Sequence, residues 1–261
     1  MKNRIMFSVV TCWLALAGCS GAPQVTHKTL PPPIARLTLL PQGEMVRGKP
    51  VTVLMKLTAI KTRSLLTDAD LETMYTKKIH LLLIDPSLAD YQHIHPMPTR
   101  TPGLYSFTFT PKSPGGYRVW ADITPKATGR QEFAMADLGA HRIGAVSKIE
   151  NRTAVVSGYH FNLTFDTPPA AGGESVGRLT ITGAHGETVT LEPVMGARAH
   201  IVGFYDDFRT VAHMHPMGDN PHEIMFHFAP DRAGFVKLFA QVEIGGKAIF
   251  APFGVMVANR S

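Results

Sequence analysis

From Ala35 onward, short apolar runs alternate with turn signals, and their spacing predicts strands rather than helices. Residues 36–40 run into Pro41-Gln42-Gly43, and a β-branched run over 51–57 opens behind Gly48-Lys49-Pro50. A third run, 79–85, ends at Asp85-Pro86-Ser87. In 104–110 the apolar residues Tyr105, Phe107 and Phe109 alternate with Ser106, Thr108 and Thr110, the period of a half-buried strand. Runs over 116–123 and 132–138 complete the set. Residues 64–75 make a long connection, with room for a helical turn capped by Thr67 or Asp68.

The same order then recurs. Residues 161–166 match the first run and 177–182 the second, 223–228 match the strand around Phe107, and Lys237-Leu238-Phe239-Ala240 matches Arg118-Val119-Trp120-Ala121. The offset stays close to 120 residues. The pattern predicts an all-β protein of two tandem immunoglobulin-like β-sandwich domains, each of about 100 residues. The expected divisions are a signal peptide at 1–18, a lipidated tether at 19–33, repeat one at 34–140, a linker at 141–157 and repeat two at 158–259.

Composition adds three constraints. A chain of 261 residues with 44% hydrophobic and 18% charged content is globular. A net charge of +6 without a Lys/Arg run or basic stripe excludes nucleic acid as an expected partner. The two cysteines, Cys12 and Cys19, both stand near the N-terminus. No disulfide framework or Cys-based zinc site is available downstream.

Lys2 and Arg4 precede an apolar run that ends in Leu16-Ala17-Gly18-Cys19, the layout of a secretory signal peptide. That ending resembles the bacterial lipobox, which implies cleavage before Cys19, lipidation of Cys19 and a membrane anchor. Ser20 at the next position implies, by the same resemblance, an outer-membrane lipoprotein facing the periplasm. The stretch up to Pro31-Pro32-Pro33 is small, polar and Pro-rich, as a tether is.

The chemistry concentrates in one duplicated motif. His93-Ile94-His95-Pro96-Met97 returns as His213-Met214-His215-Pro216-Met217, and His80 and His200 each stand 13 residues ahead of their copy. A symmetric hairpin centred on Pro86-Ser87 sets His80 opposite His93, and one centred on Asp206-Asp207 sets His200 opposite His213. His95 and His215 then share that face. Met97 and Met217 have the parity to join them, and Glu72 and Glu192 are candidates for an oxygen ligand or an orienting contact. Imidazole binds copper, zinc or nickel, and thioether favours Cu(I). The expected ligands are His80, His93, His95, Met97, His200, His213, His215 and Met217, for copper first and zinc second.

The stretches 85–96 and 114–120 resemble a group of bacterial secreted or periplasmic proteins carrying Asp, then His-x-His-Pro, then Pro-Gly-x-Tyr. Those are loosely similar to YtkA-like and CopC-like β-sandwich domains, which implies copper handling in the cell envelope. Tyr205 stands where repeat one has Asp85, and Ala212 where it has Gln92. Leu82 and Ile84 share the parity of His80, so the same face also fits a core, and the alternative is a structural or interaction module with an envelope protein as partner. An enzyme is not expected. No glutamate follows His-x-His between Met97 and Gly103, and no nucleophile elbow, P-loop or His-Glu-x-x-His motif occurs.

Overall fold

The computed structural model describes residues 32–140, 146–218, 220 and 222–260. The expected signal peptide, most of the tether and Cys19 lie outside the described residues. Repeat one contains β1 (Ala35–Pro41), β2 (Val51–Ala59), β3 (Leu65–Leu66), β4 (Ile79–Ile84), β5 (Tyr91–Ile94), β6 (Met97–Pro98), β7 (Leu104–Phe109), β8 (Tyr117–Ile123) and β9 (Glu132–Leu138). Repeat two contains β10 (Thr153–Val156), β11 (Tyr159–Phe165), β12 (Ser175–Thr182), β13 (His200–Tyr205), β14 (Val211–Met214), β15 (Glu223–Phe228), β16 (Gly234–Ile244) and β17 (Lys247–Val257). A 3-10 turn, Asp68–Asp70, sits in the long connection, where the Thr67 N–H donates to the Asp70 carboxylate at 2.8 Å.

The chain is a pair of immunoglobulin-like β-sandwiches in series. In repeat one the sheet β1-β2-β7-β6, with β3 beside β2, faces β5-β4-β8-β9. In repeat two β10-β11-β12-β15 faces β14-β13-β16-β17. Strand β2 shows why. Val51, Val53, Met55 and Leu57 point inward and are buried, while Thr52, Leu54 and Lys56 alternate away. Strand β10 corrects the expected linker, whose last residues it occupies. Ser157 and Gly158 both take positive φ, and this two-residue turn folds Thr153–Val156 back onto β11.

Strands β4 and β13 are buried at every residue, so both of their faces are covered. Ile79, Leu81 and Leu83 fill the core of repeat one. Leu82 and Ile84, on the other face, join Leu88, Tyr91 and Trp120 against Val202, Phe204, Phe208, Val211 and Phe239 of repeat two. The two four-stranded sheets therefore press their outer faces together in a third core. Leu88 and Phe208, at equivalent hairpin tips, hold left-handed backbone to reach it.

Trp120 anchors that third core. Its indole lies 5.5 Å from the Phe204 ring, and its N–H donates to the Arg209 carbonyl at 3.3 Å. Trp120→Ala is expected to cost about 3–5 kcal/mol, read as a lower urea midpoint. A loss below about 1 kcal/mol would mean that the repeats do not rest on this core.

Candidate metal centre

The six motif histidines meet at one end of the face shared by the repeats. His80 lies in β4, His93 in β5 and His95 just past it; His200, His213 and His215 hold the same places on β13 and β14. The hairpin register differs from the expected one. Leu82, not His80, pairs with His93, and Val202, not His200, pairs with His213. The shift is two residues, so every histidine keeps its face. The Asp85 carboxylate accepts from the backbone N–H groups of Ala89 and Asp90, both at 2.8 Å, which widens the loop. In repeat two, where Tyr205 replaces Asp85, Asp207 takes over and accepts from the N–H groups of Arg209 and Thr210.

Within repeat one, His80 Nδ1 lies 3.2 Å from His93 Nε2 and 3.1 Å from His95 Nε2. Within repeat two, His200 Nδ1 lies 3.1 Å from His213 Nε2. The two sets also abut. Ring centroids of His93 and His200 are 5.0 Å apart, and those of His80 and His213 are 5.5 Å apart.

The outer partners of these rings decide where their protons sit. His80 Nε2 faces the Met74 carbonyl at 3.1 Å, and His200 Nε2 faces the Val194 carbonyl at 3.2 Å. A carbonyl only accepts, so each Nε2 carries the hydrogen and each Nδ1 is left bare. His93 donates from Nδ1 to Gln241 Oε1 at 2.9 Å, and His213 from Nδ1 to Asp122 Oδ2 at 2.6 Å. Their Nε2 atoms are bare in turn. In each repeat, then, with the outer partners accepting, two ring nitrogens face one another at hydrogen-bond distance and neither brings a proton to the contact.

Burial keeps the rings neutral. It depresses His80 and holds His93 well below the usual imidazole range, with neighbouring histidines adding to the effect on His93. Burial first, and the other histidines second, lower His95, His200 and His213 to about 3 and His215 to about 2. Burial raises Asp122 to about 7. With His213 neutral, its contact with Asp122 is a hydrogen bond rather than an ion pair. Asp122 also accepts from Gln131 Nε2 at 2.9 Å.

A cavity of about 540 Å³ opens beside the cluster, walled by His80, His215, Asp122, Gln131, Glu72 and Lys78 among others. Tyr75 of repeat one stacks on His215 of repeat two, centroids 3.6 Å apart. The buried Nε2 of His215 has no hydrogen-bond partner.

The methionines and glutamates sort differently. Met97 is 65% exposed and pairs with Ser106 in the opposite sheet of its sandwich. Met217 bridges to Met225 in the corresponding place. Both leave the histidine face because the chain crosses between sheets at Pro96 and Pro216, which the parity argument did not allow for. Glu72 reaches the cavity wall, whereas Glu192 accepts from the Gly246 N–H at 3.0 Å. Asp122 and Gln241, which sequence reasoning missed, are equivalent positions. Each extends the matched runs Arg118–Ala121 and Lys237–Ala240 by one residue, and a polar residue inside an apolar strand was the available signal.

Two sandwiches in series, joined across a face that carries six imidazoles, define a tandem β-sandwich protein with a histidine-lined interface. The chain belongs to the family described as Domain of unknown function (DUF8832), whose model matches it twice, at residues 35–138 and 154–259. No curated protein matches it. Among solved structures it is similar to Escherichia coli alpha-2-macroglobulin activated by porcine elastase, at 15% identity and a TM-score of 0.26 over 87% of this chain and 20% of that one. It is similar to invasin, a bacterial integrin-binding protein, at 12% identity and a TM-score of 0.25 over 84% of this chain and 39% of that one. For the D00-D0 domain of intimin the values are 12% and 0.23, over 85% of this chain and 99% of that one. The chain thus spans well under half of the first two.

Proposed function

We propose that this chain is a lipid-anchored metal-binding protein of the bacterial cell envelope that sequesters a transition metal or passes it on. The carrying observation is the pair of bare nitrogens, His80 Nδ1 with His93 Nε2 at 3.2 Å and His200 Nδ1 with His213 Nε2 at 3.1 Å. Two ligands on one tetrahedral ion with metal–nitrogen bonds of 2.0–2.1 Å stand about 3.3 Å apart. A shared proton or a metal ion satisfies two facing lone pairs, and burial disfavours the protonated ring. Neutral imidazoles need no proton displaced before they bind one. The all-nitrogen donor set suits copper first and zinc second.

The remaining parts of the reading rest on the leader. Cys19 after Leu16-Ala17-Gly18 would be the lipidated first residue of the mature protein, anchored in the outer membrane and facing the periplasm. The cavity beside His80 and His215 gives an ion a way in and out. An envelope protein that donates or receives the ion is the expected partner.

Metal analysis of the whole protein, purified in detergent after growth with added copper or zinc, tests the reading. Wild type is expected to retain metal, and His93→Ala/His213→Ala to lose at least nine-tenths of it while keeping its far-UV circular dichroism. Equal, negligible copper and zinc in both proteins would sink the proposal and favour the structural module.

A further inference from the structure

We infer that the interface holds two ions side by side, one in the imidazoles of each repeat, rather than one ion shared by all six. This rests on the metal-binding reading above and adds the count and arrangement.

Four histidines around a single ion would need all their donor nitrogens close to the roughly 3.3 Å spacing set by bonds of 2.0–2.1 Å. The nitrogens do not gather that way. Among the described residues, donor atoms lie within 4.8 Å of one another in two groups, His80 with His93 and His95, and His93 with His200 and His213. The spacings already close to a ligand edge fall inside single repeats: 3.2 and 3.1 Å around His80 Nδ1, and 3.1 Å between His200 and His213. Each repeat therefore presents its own preformed pair.

Each pair also has a third donor at hand. In repeat one it is His95. In repeat two the donor within 4.8 Å of both nitrogens is His93, which also pairs with His80, and the His215 ring stands alongside, its centroid 4.4 Å from that of His213 and 5.1 Å from that of His200. The buried Nε2 of His215, which has no hydrogen-bond partner, lies next to this group. One ion placed in either pair would leave the other pair's lone pairs opposed and unmatched, a state buried polar groups rarely hold. Because His93 stands within 4.8 Å of both His200 and His213, the ions would be neighbours, on the order of 4 Å apart as in two-metal sites. His80 and His215 line the same cavity, so both ions would have a free coordination position toward it.

The test loads the full chain, in detergent and with thiols blocked by N-ethylmaleimide, with Cu(II). Equilibrium dialysis is expected to give two tightly bound copper ions per chain. The electron paramagnetic resonance spectrum should be broadened by coupling, with an integrated intensity well below the bound copper. His200→Ala is expected to bind one ion with a sharp, fully counted signal and to melt as a folded protein. Saturation at one ion would overturn the pair and leave metal binding standing. Two ions with full, uncoupled intensity would overturn their adjacency. No bound copper would remove the metal reading as well.

Discussion

Lowered from pH 7.5 to pH 4, the metal-free protein is expected to lose about 7 kcal/mol of stability. A histidine whose folded pKa lies below its unfolded value of about 6.5 favours folding fully above that value and loses the contribution as pH falls toward the folded pKa. His93 is held well below the normal range, and His200 and His213 at about 3. The window therefore runs from about pH 6.5 down to about pH 3. Each such buried histidine costs up to about 1.4 kcal/mol per pH unit there, or about 4 for the three. Asp122 works the other way. Its folded pKa is raised to about 7, so its contribution is present below the unfolded carboxylate value and lost as pH rises toward 7. The balance is about 3 kcal/mol per pH unit in favour of unfolding, enough to consume a stability of 5–15 kcal/mol within about two to five units. Urea midpoints measured from pH 7.5 to 4 check it. A flat profile would mean that these rings are solvated and the sheets do not close over them.

Saturating copper is expected to raise the thermal midpoint by about 8–16 °C for each ion bound. A ligand held at a thousand times its Kd adds about 4 kcal/mol, and one kcal/mol moves a chain of this size by about 2–4 °C. The donors come from both repeats, so the gain should appear as one shifted transition rather than as one stabilised half. Chelation should reverse it. A melting curve indifferent to copper would count against any ion in the interface.

The strands were legible because their apolar positions recur with period two and their ends carry Pro, Gly or Asp, as at Asp85-Pro86. The duplication was legible from the histidines themselves. The hairpin centre was not. Pro86 is the strongest local turn signal, yet the Asp85 side chain, bonded to the Ala89 and Asp90 N–H groups, shifts the centre by one residue. Nor could strand parity show that His80, Leu82 and Ile84 face another sandwich. A core inside one domain and a core between two have the same alternation, so the metal and core readings of that face looked like rivals. In the structure the face is shared between them, with Leu82 and Ile84 in the core between the sandwiches and His80 among the gathered imidazoles at its end. Met97 was misplaced for a related reason, since parity holds only while the chain stays in one sheet.

Asp122 of the first half supports His213 of the second, and Gln241 of the second half supports His93 of the first. Residue i meeting j while the counterpart of j meets the counterpart of i is the signature of an isologous homodimer contact, here formed inside one polypeptide. A true homodimer must write every such position twice, so a carboxylate on one side obliges a second on the other. Covalent fusion lifts that obligation. It lets one imidazole lean on a carboxylate and its twin on a neutral amide, and it lets Tyr75 stand where the other half has Met195. A pocket made by two copies of one design can thereby acquire a front and a back.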